Sequence, residues 1–445
     1  MNASPATTEP KSVVARRSGS TTRQVLLAST IGSAIEWYDF YLYSTASVLI
    51  IGPLFFPGSS TTATMLATFA TYAAGFVARP LGGVVIGHFG DRVGRKNMLA
   101  LTLLVMGLAT FLVGVLPTYE QAGILAPALL VTLRILQGIG IGGEWGGAVL
   151  MSAEYAPPGR KGLWTAFPAA GFPLGLLGST AVIELVLRMP ERQLHAWGWR
   201  LPFLASIALV VLGVVVRRKV AESPEYVRAK RTTAVSALPV REVLRHTPGK
   251  VVRGALAALG LAVIVSTFTV QLFTAASAGQ QHTARSVLLL GLAVGALAEA
   301  LMLPVCGALS DRWGRRPVIL SGYAVCALVA VPAPYWLASG EPWLVVMTFV
   351  LAMGAGHAAV YGAFASFLVE MFPVQQRYSA LAVTYQVGAT IASFSPLVAT
   401  AVAGSEKATF PGILIMIGCL ALASAAVAGS RPGAGDGTAA QEPSP

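Results

Sequence analysis

The chain has 445 residues, of which 55% are hydrophobic and only 11% are charged, and its formal net charge at pH 7 is +12. Soluble domains carry about 25% charged residues, so this composition excludes an ordinary water-soluble protein. All three cysteines lie in apolar runs, which argues against a disulfide framework or a metal site. We therefore expect a membrane protein without a metal or cofactor.

The apolar runs predict the architecture. One crossing of a bilayer needs about 20 apolar residues, and we find twelve such runs, at 25–50, 64–87, 97–116, 123–150, 162–187, 199–216, 252–277, 286–309, 318–338, 343–369, 379–403 and 409–428. The interpretation is an all-α membrane protein with twelve transmembrane helices in two six-helix halves.

The stretches outside the apolar runs complete the predicted domain organisation. The two bundles cover 23–216 and 252–428, joined by a polar linker at 217–251. The amphipathic piece at 239–245 predicts a short helix at the membrane surface. Residues 1–22 and 429–445 are rich in small and polar residues and are predicted to be disordered tails.

Lysine and arginine are distributed unevenly between the two ends of the predicted bundle. With the linker and both termini on one side, that side holds 24 of the 31 cations and the other side holds five. The remaining two, Arg79 and Arg134, lie within predicted spans. The positive-inside rule therefore predicts that both termini and the linker are cytosolic. This distribution also explains the positive charge without nucleic acid as a partner.

One loop motif occurs twice, at 87–96 and 307–316, with Gly, Asp-Arg and Gly-Arg in the same register. A second repeat, Glu154-x-x-Pro157, recurs as Glu370-x-x-Pro373. We call the first pair the duplicated loops. Glycine permits a tight turn, and the Asp can hold an arginine or a helix N-terminus across the bundle. We expect these loops to gate the transporter through Asp91, Arg92, Gly94, Arg95, Asp311, Arg312, Gly314 and Arg315.

Two acids lie halfway along the first predicted span. Glu36 and Asp39 are three residues apart, so they share one broad face of a helix. A charge at mid-bilayer costs about 2.5–3.5 kcal/mol on insertion scales, so both acids need a cavity or a partner. They are candidates for a proton or substrate site, and a structural ion pair between helices is the alternative.

The fourth span supplies the cation that we place opposite these acids. Arg134 is a candidate substrate or coupling residue, with helix bracing as the alternative, whereas bracing is the expected role of Arg79. Gln137 and Glu144 are seven residues apart and share a helix face, so both are further candidates. Glycines at 138, 142 and 146 predict close helix packing along the same span.

Polar residues are sparser in the second half. We select Glu299 in the eighth span, and His357 can titrate near neutrality or be a hydrogen-bonded packing residue. The further candidates are Tyr361, Tyr385 and Gln386. No other pattern in the chain indicates a catalytic centre, so we do not expect an enzyme.

Taken together, these motifs resemble the major facilitator superfamily, and within it the metabolite:proton symporters. The resemblance rests on Glu36-Trp37-Tyr38-Asp39-Phe40, Gly75-Phe76-x-x-Arg79-Pro80, Gln137-Gly138, the 142–147 glycine cluster, Glu222-Ser223-Pro224, Glu370-x-Phe372-Pro373 and Arg377-Tyr378-Ser379. It implies proton-coupled uptake of a small organic acid or zwitterionic metabolite by alternating access. We further expect the protein to lie in the plasma (inner) membrane and to function as a monomer. A proton-coupled exporter of the same fold is the alternative.

Overall fold

The computed structural model describes residues 11–46, 51–57, 61–218, 239–278, 283–403 and 409–430, and all regular secondary structure in these ranges is helical. Twelve helices match the twelve predicted runs one for one. They are α1 Lys11–Ala46, α2 Thr61–Val93, α3 Arg95–Val115, α4 Leu125–Glu154, α5 Lys161–Leu187, α6 Gly198–Arg217, α7 Pro248–Leu272, α8 Arg285–Trp313, α9 Arg315–Ala330, α10 Pro342–Met371, α11 Val374–Ala399 and α12 Thr409–Ala428.

Nine of these helices are long and apolar enough to cross a membrane within the described ranges, namely α3–α8 and α10–α12. Helix α9 has 16 residues before it gives way to the short helix Ala333–Ala338. The other two, α1 and α2, carry the intramembrane charges Glu36, Asp39 and Arg79.

The predicted boundaries differ from the observed helices mainly at the N-terminus. Helix α1 begins at Lys11, so residues 11–22, for which we expected a disordered tail, belong to it. Residues 1–10, most of the linker (219–238) and the C-terminal tail from 431 lie outside the described residues. The amphipathic piece of the linker does form a helix, Pro239–His246, which we call the linker helix. Its place at a membrane surface stays a prediction.

Two pairs of helices form the most extensive contacts between the halves, and α4 and α10 add further contacts. Helix α2 packs on α11, and α5 packs on α8. The duplicated loops are largely helical: residues 87–93 and 307–313 form the ends of α2 and α8, and only Gly94 and Gly314 separate these helices from α3 and α9. The second repeat lies just before α5 and α11, so the two pairs are repeats of each other. Each helix at this interface therefore has a counterpart in the other half.

Glycines allow the close approach of α4 to α2. A Cβ added at Gly138 would overlap the backbone of Gly75, and one added at Gly142 would overlap the backbone of Arg79. The predicted close packing of the fourth span is therefore present. It brings α4 near enough to α2 and α11 for Trp145 to reach the second half.

Candidate substrate and coupling site

An aromatic cluster joins the two halves at the centre of the interface. Trp145 on α4 stacks on Tyr385 on α11, with ring centroids 4.0 Å apart and planes at 20°. Its indole Nε1 donates a hydrogen bond of 3.0 Å to the hydroxyl of Tyr361 on α10. All three side chains are buried. The two predicted tyrosines thus meet across a tryptophan that our sequence reasoning did not select as a site residue.

Arg79 also bridges the halves. Its Nε donates a 3.0 Å hydrogen bond to Oε1 of Gln386 on α11. The amide of Gln386 donates in turn to the carbonyl of Gly142, at 3.1 Å. The guanidinium lies 5.1 Å from the ring centroid of Phe76. We expected Arg79 to brace helices, and this contact braces the two halves against each other, which makes it part of the candidate site.

Glu36 lies in this central region and is 1% exposed. It is within electrostatic range of Arg79, Tyr361 and Tyr385. In the described part of the chain its Oε2 has no hydrogen-bond partner. A buried carboxylate oxygen without a donor is costly unless the group carries a proton or a ligand supplies the donor. Glu36 is therefore an acid at the interface with a free acceptor atom.

Asp39 belongs to a different chain of contacts, inside the first half. The hydroxyl of Thr110 on α3 donates to Asp39 Oδ2 at 3.0 Å and accepts from Gln137 Nε2 at 2.6 Å. Gln137 Oε1 accepts a hydrogen bond of 2.7 Å from Arg134 Nη1. The guanidinium of Arg134 lies 3.7 Å from the ring centroid of Tyr43. Arg134 and Asp39 are thus linked through two buried side chains.

These contacts differ from the single cluster that we expected. Both acids were expected to face Arg134, but only Asp39 is connected to it. Glu36 instead lies within electrostatic range of Arg79 and of the buried pair Glu144 and Arg217. The physical reason is helix rotation: residues three apart differ by about 60° in direction, which is enough to point one acid at α3 and the other at the interface.

Glu144, another candidate, forms an ion pair within the first half. Arg217 at the end of α6 pairs with it, and Thr102 donates to its Oε2 at 2.5 Å. We counted Arg217 among the cations of the cytosolic surface, whereas its side chain is only 5% exposed. The expectation that Gln137 and Glu144 share a face agrees with the contacts, because both bond to threonines of α3.

In the second half, Glu299 and His357 form a buried pair. Oε1 of Glu299 lies 2.6 Å from Nδ1 of His357, and Oε2 of Glu299 has no hydrogen-bond partner among the described residues. The imidazole ring is 5.6 Å from the ring of Phe172 on α5 and 5.5 Å from that of Tyr361. We selected both residues of the pair separately. The sequence offered no signal for their contact or for Phe172.

The acids of the duplicated loops contact helix N-termini in the opposite half. Asp91 accepts hydrogen bonds from the backbone N–H groups of Tyr378 (3.3 Å) and Ser379 (3.0 Å) at the start of α11. Asp311 accepts them from Gly162 (2.8 Å) and Leu163 (2.9 Å) at the start of α5.

In both cases the donors are the second and third residues of a helix segment, Arg377–Ser393 or Lys161–Ala169. The residue that precedes each segment provides no side-chain cap. Each Asp therefore supplies, from the other half, the acceptor that an N-cap residue normally supplies. We call these two arrangements the cross-half caps.

The remaining loop residues complete a matching pattern. Gly94 and Gly314 have φ of 125° and 90°, a conformation that glycine adopts without strain. The following arginines bind the acids of the second repeat, Arg95 with Glu154 and Arg315 with Glu370. Of the two arginines next to the acids, Arg92 approaches His88 at 3.4 Å, and Arg312 is exposed. Their gating role stays a prediction.

The chain belongs to the major facilitator superfamily, whose family model matches residues 29–396 and 259–443. It is therefore a multi-pass transporter and not an enzyme, and the predicted fold class is confirmed. The structure is similar to that of a proton:xylose symporter, XylE, bound to 6-bromo-6-deoxy-D-glucose, with a TM-score of 0.75, 18% identity and coverage of 91% of this chain and 95% of the other.

Curated relatives are more similar in sequence. The chain is 38% identical over 415 residues to the shikimate transporter of Escherichia coli K12, covering 91% of this chain and 94% of the relative. It is also 38% identical over 383 residues to an inner membrane metabolite transport protein of the same strain, covering 84% and 87%. Identity to the proline/betaine transporter of that strain is 31% over 414 residues, covering 89% and 81%.

Proposed function

We propose that this protein imports a small organic acid or zwitterionic metabolite together with protons, by alternating access. The observation that carries this proposal is the buried chain from Arg134 through Gln137 and Thr110 to Asp39. It connects a permanent cation, which can bind a substrate carboxylate, to an acid that can bind a proton. The named substrates of the relatives, shikimate, proline and betaine, belong to the same chemical classes.

The coupling follows from charge balance. Arginine offers a planar fork that binds a carboxylate through two parallel hydrogen bonds. When a substrate carboxylate binds Arg134, the guanidinium no longer compensates the charge of Asp39 through the hydrogen bonds of Gln137 and Thr110. A buried carboxylate without compensation binds a proton more readily. One anion and one proton therefore enter together, and neither is favoured alone.

The interface supplies a second acid and cation, Glu36 and Arg79. Arg79 contacts Gln386 across the halves, so this bond must break when that part of the interface opens. The free Oε2 of Glu36 is a proton or ligand acceptor. Trp145, Tyr361 and Tyr385 offer aromatic surfaces that suit either the apolar body of an organic acid or the ammonium group of a zwitterion.

The experiment is uptake into proteoliposomes of known orientation. A panel of radiolabelled carboxylates and zwitterions, including shikimate, proline and betaine, is tested at pH 5.5 and 7.5 outside. A symporter accumulates its substrate when the outside is acidic relative to the lumen. An exporter that exchanges substrate for protons accumulates it when the lumen is acidic, and that result would replace the import proposal.

Variants separate coupling from binding. Asp39→Asn and Glu36→Gln are tested beside Glu120→Gln, a control acid that is exposed in a loop helix. Loss of accumulation with retained exchange of internal for external substrate, in either amide variant but not in the control, supports coupling at that acid. If both amide variants still concentrate substrate with unchanged pH dependence, the coupling site lies elsewhere, and Glu144, Glu299 and His357 are tested next.

The location belongs to the same proposal. The charge distribution supports cytosolic termini, and the name of one relative as an inner membrane protein supports the plasma (inner) membrane. All elements of the proposed site lie within one chain, so we propose that the monomer transports.

A further inference from the structure

A groove of about 750 Å³ opens between α2 and the linker helix. Apolar side chains from both helices form its floor, namely Val84, Val85, Phe89, Val240 and Leu244. Phe89 is 45% exposed and Leu244 is 49% exposed, so this floor is open to the surroundings of the protein. The predicted second span ends at residue 87, which places the groove at the predicted cytosolic boundary of the membrane. In this predicted topology the groove faces lipids at that depth.

The rim of the groove is cationic. Arg241 and Arg245 line it, and they are four residues apart on the linker helix, so they lie on the same face. Both are exposed, and within the described residues neither has an ion-pair or hydrogen-bond partner. The acid between them, Glu242, accepts a hydrogen bond of 2.5 Å from Gln376. The two arginines carry two positive charges against this single carboxylate, so the linker helix presents a net positive charge at the rim.

We propose that this groove is a binding site for an anionic phospholipid. The acyl chain lies on the apolar floor, and the phosphate group binds Arg241 and Arg245. Arginine side chains bind phosphate through paired hydrogen bonds, and basic residues next to a membrane span attract anionic headgroups. A free phosphate ion can bind only the two arginines of the rim, whereas a lipid can also cover the apolar floor with its acyl chain. The occupant that the geometry fits is therefore a lipid of the cytosolic leaflet.

The site would also connect parts that move separately. The linker helix packs on α7 and α11 of the second half as well as on α2 of the first. A lipid in the groove contacts α2 one turn before Asp91. It therefore lies beside one of the cross-half caps without being part of it.

Native mass spectrometry of the delipidated full chain tests this proposal, with equal amounts of phosphatidylglycerol and phosphatidylcholine. We expect the wild type to retain one phosphatidylglycerol in preference to phosphatidylcholine. Each arginine near a membrane surface contributes about a fivefold preference, so R241Q/R245Q is expected to lose about 25-fold. The charge-matched control R188Q/R192Q, in the exposed loop after α5, is expected to keep the preference.

Two further experiments locate the bound lipid and identify the chemistry of its binding. Phosphatidylglycerol with a diazirine in its acyl chain is expected to crosslink within 84–89 and 240–245. R241K/R245K, which keeps the charge, is expected to retain part of the preference. R241Q/R245Q is expected to keep the wild-type melting temperature, which excludes misfolding as the cause of its loss. The proposal is overturned if R241Q/R245Q retains the wild-type preference, if crosslinks lie elsewhere, or if millimolar inorganic phosphate displaces the bound lipid.

Discussion

The cross-half cap at Asp91 predicts that Asp91→Asn opens the duplicated-loop side of the transporter. The carboxylate accepts three hydrogen bonds from the start of α11, from two backbone N–H groups and from the Ser379 hydroxyl at 2.7 Å. An asparagine removes the negative charge next to a helix N-terminus and presents an NH2 group to one of these donors. These contacts exist only while α2 and α11 lie together, so their loss disfavours that conformation alone.

The magnitude follows from the type of hydrogen bond. A bond to a charged group contributes about 1.5–3 kcal/mol, and a bond between neutral groups contributes about 0.5–1.5 kcal/mol. The substitution is therefore expected to remove about 1–2 kcal/mol from the closed state. At 25 °C this changes the ratio of open to closed molecules by about 5–30-fold.

The assay is the accessibility of a cysteine at the other contact between the halves. Ser310 is 1% exposed and lies against Gly162 of α5, so Ser310→Cys reports opening without a large change in volume. Maleimide labelling from the duplicated-loop side is expected to be about 5–30-fold faster with Asp91→Asn. The exposed Arg253→Gln, at the start of α7 and outside the duplicated loops, is the control and is expected to have no effect. An unchanged labelling rate in Asp91→Asn would refute the cap and leave the loop as a tight turn.

Three further predictions concern the ion pair, the substrate site and the topology. Arg217→Met leaves Glu144 buried without its cation, which costs about 3–5 kcal/mol of stability, so the melting temperature is expected to fall. Adding Glu144→Gln removes the unpaired charge and is expected to recover part of the lost melting temperature. Equal melting temperatures for the single and double variants would contradict the pairing. Arg134→Lys keeps the positive charge but loses the planar fork of N–H donors, so the substrate affinity measured by equilibrium binding is expected to fall about tenfold or more. An unchanged Kd would rule out a bidentate role for Arg134. Reporter fusions at residues 235 and 435 are both expected to give a cytosolic signal, and a periplasmic signal from either one contradicts the twelve-span topology.

The sequence was sufficient to predict the helices because each one is a long apolar run. The repeats added the symmetry, since the register of Asp91 and Asp311 could be read directly. Contacts between helices were harder to predict because they depend on how each helix rotates about its axis. Glu36 and Asp39 therefore looked equivalent, although they face different neighbours.

The missed residues have the same kind of cause. Arg217 stands at the end of an apolar run, where arginine usually reaches water, so nothing in the sequence indicated that it folds back onto Glu144. Glu299 and His357 are 58 residues apart, and a single sequence does not reveal which distant polar residues meet. Trp145 was visible in the glycine cluster of α4, but only the packing of α4 against α10 and α11 makes it a contact between the halves.

The cross-half caps have a consequence for the origin of the molecule. Asp91 of the first half holds the start of α11 in the second, and Asp311 of the second holds the start of α5 in the first. An interface in which the same two elements of each unit contact each other reciprocally is isologous, which is the geometry of a twofold homodimer. Two identical six-helix units, each with one copy of the loop, would form both caps in such a dimer. Joining two such units in one chain requires only a linker to preserve both caps, and the polar linker between the halves has this position.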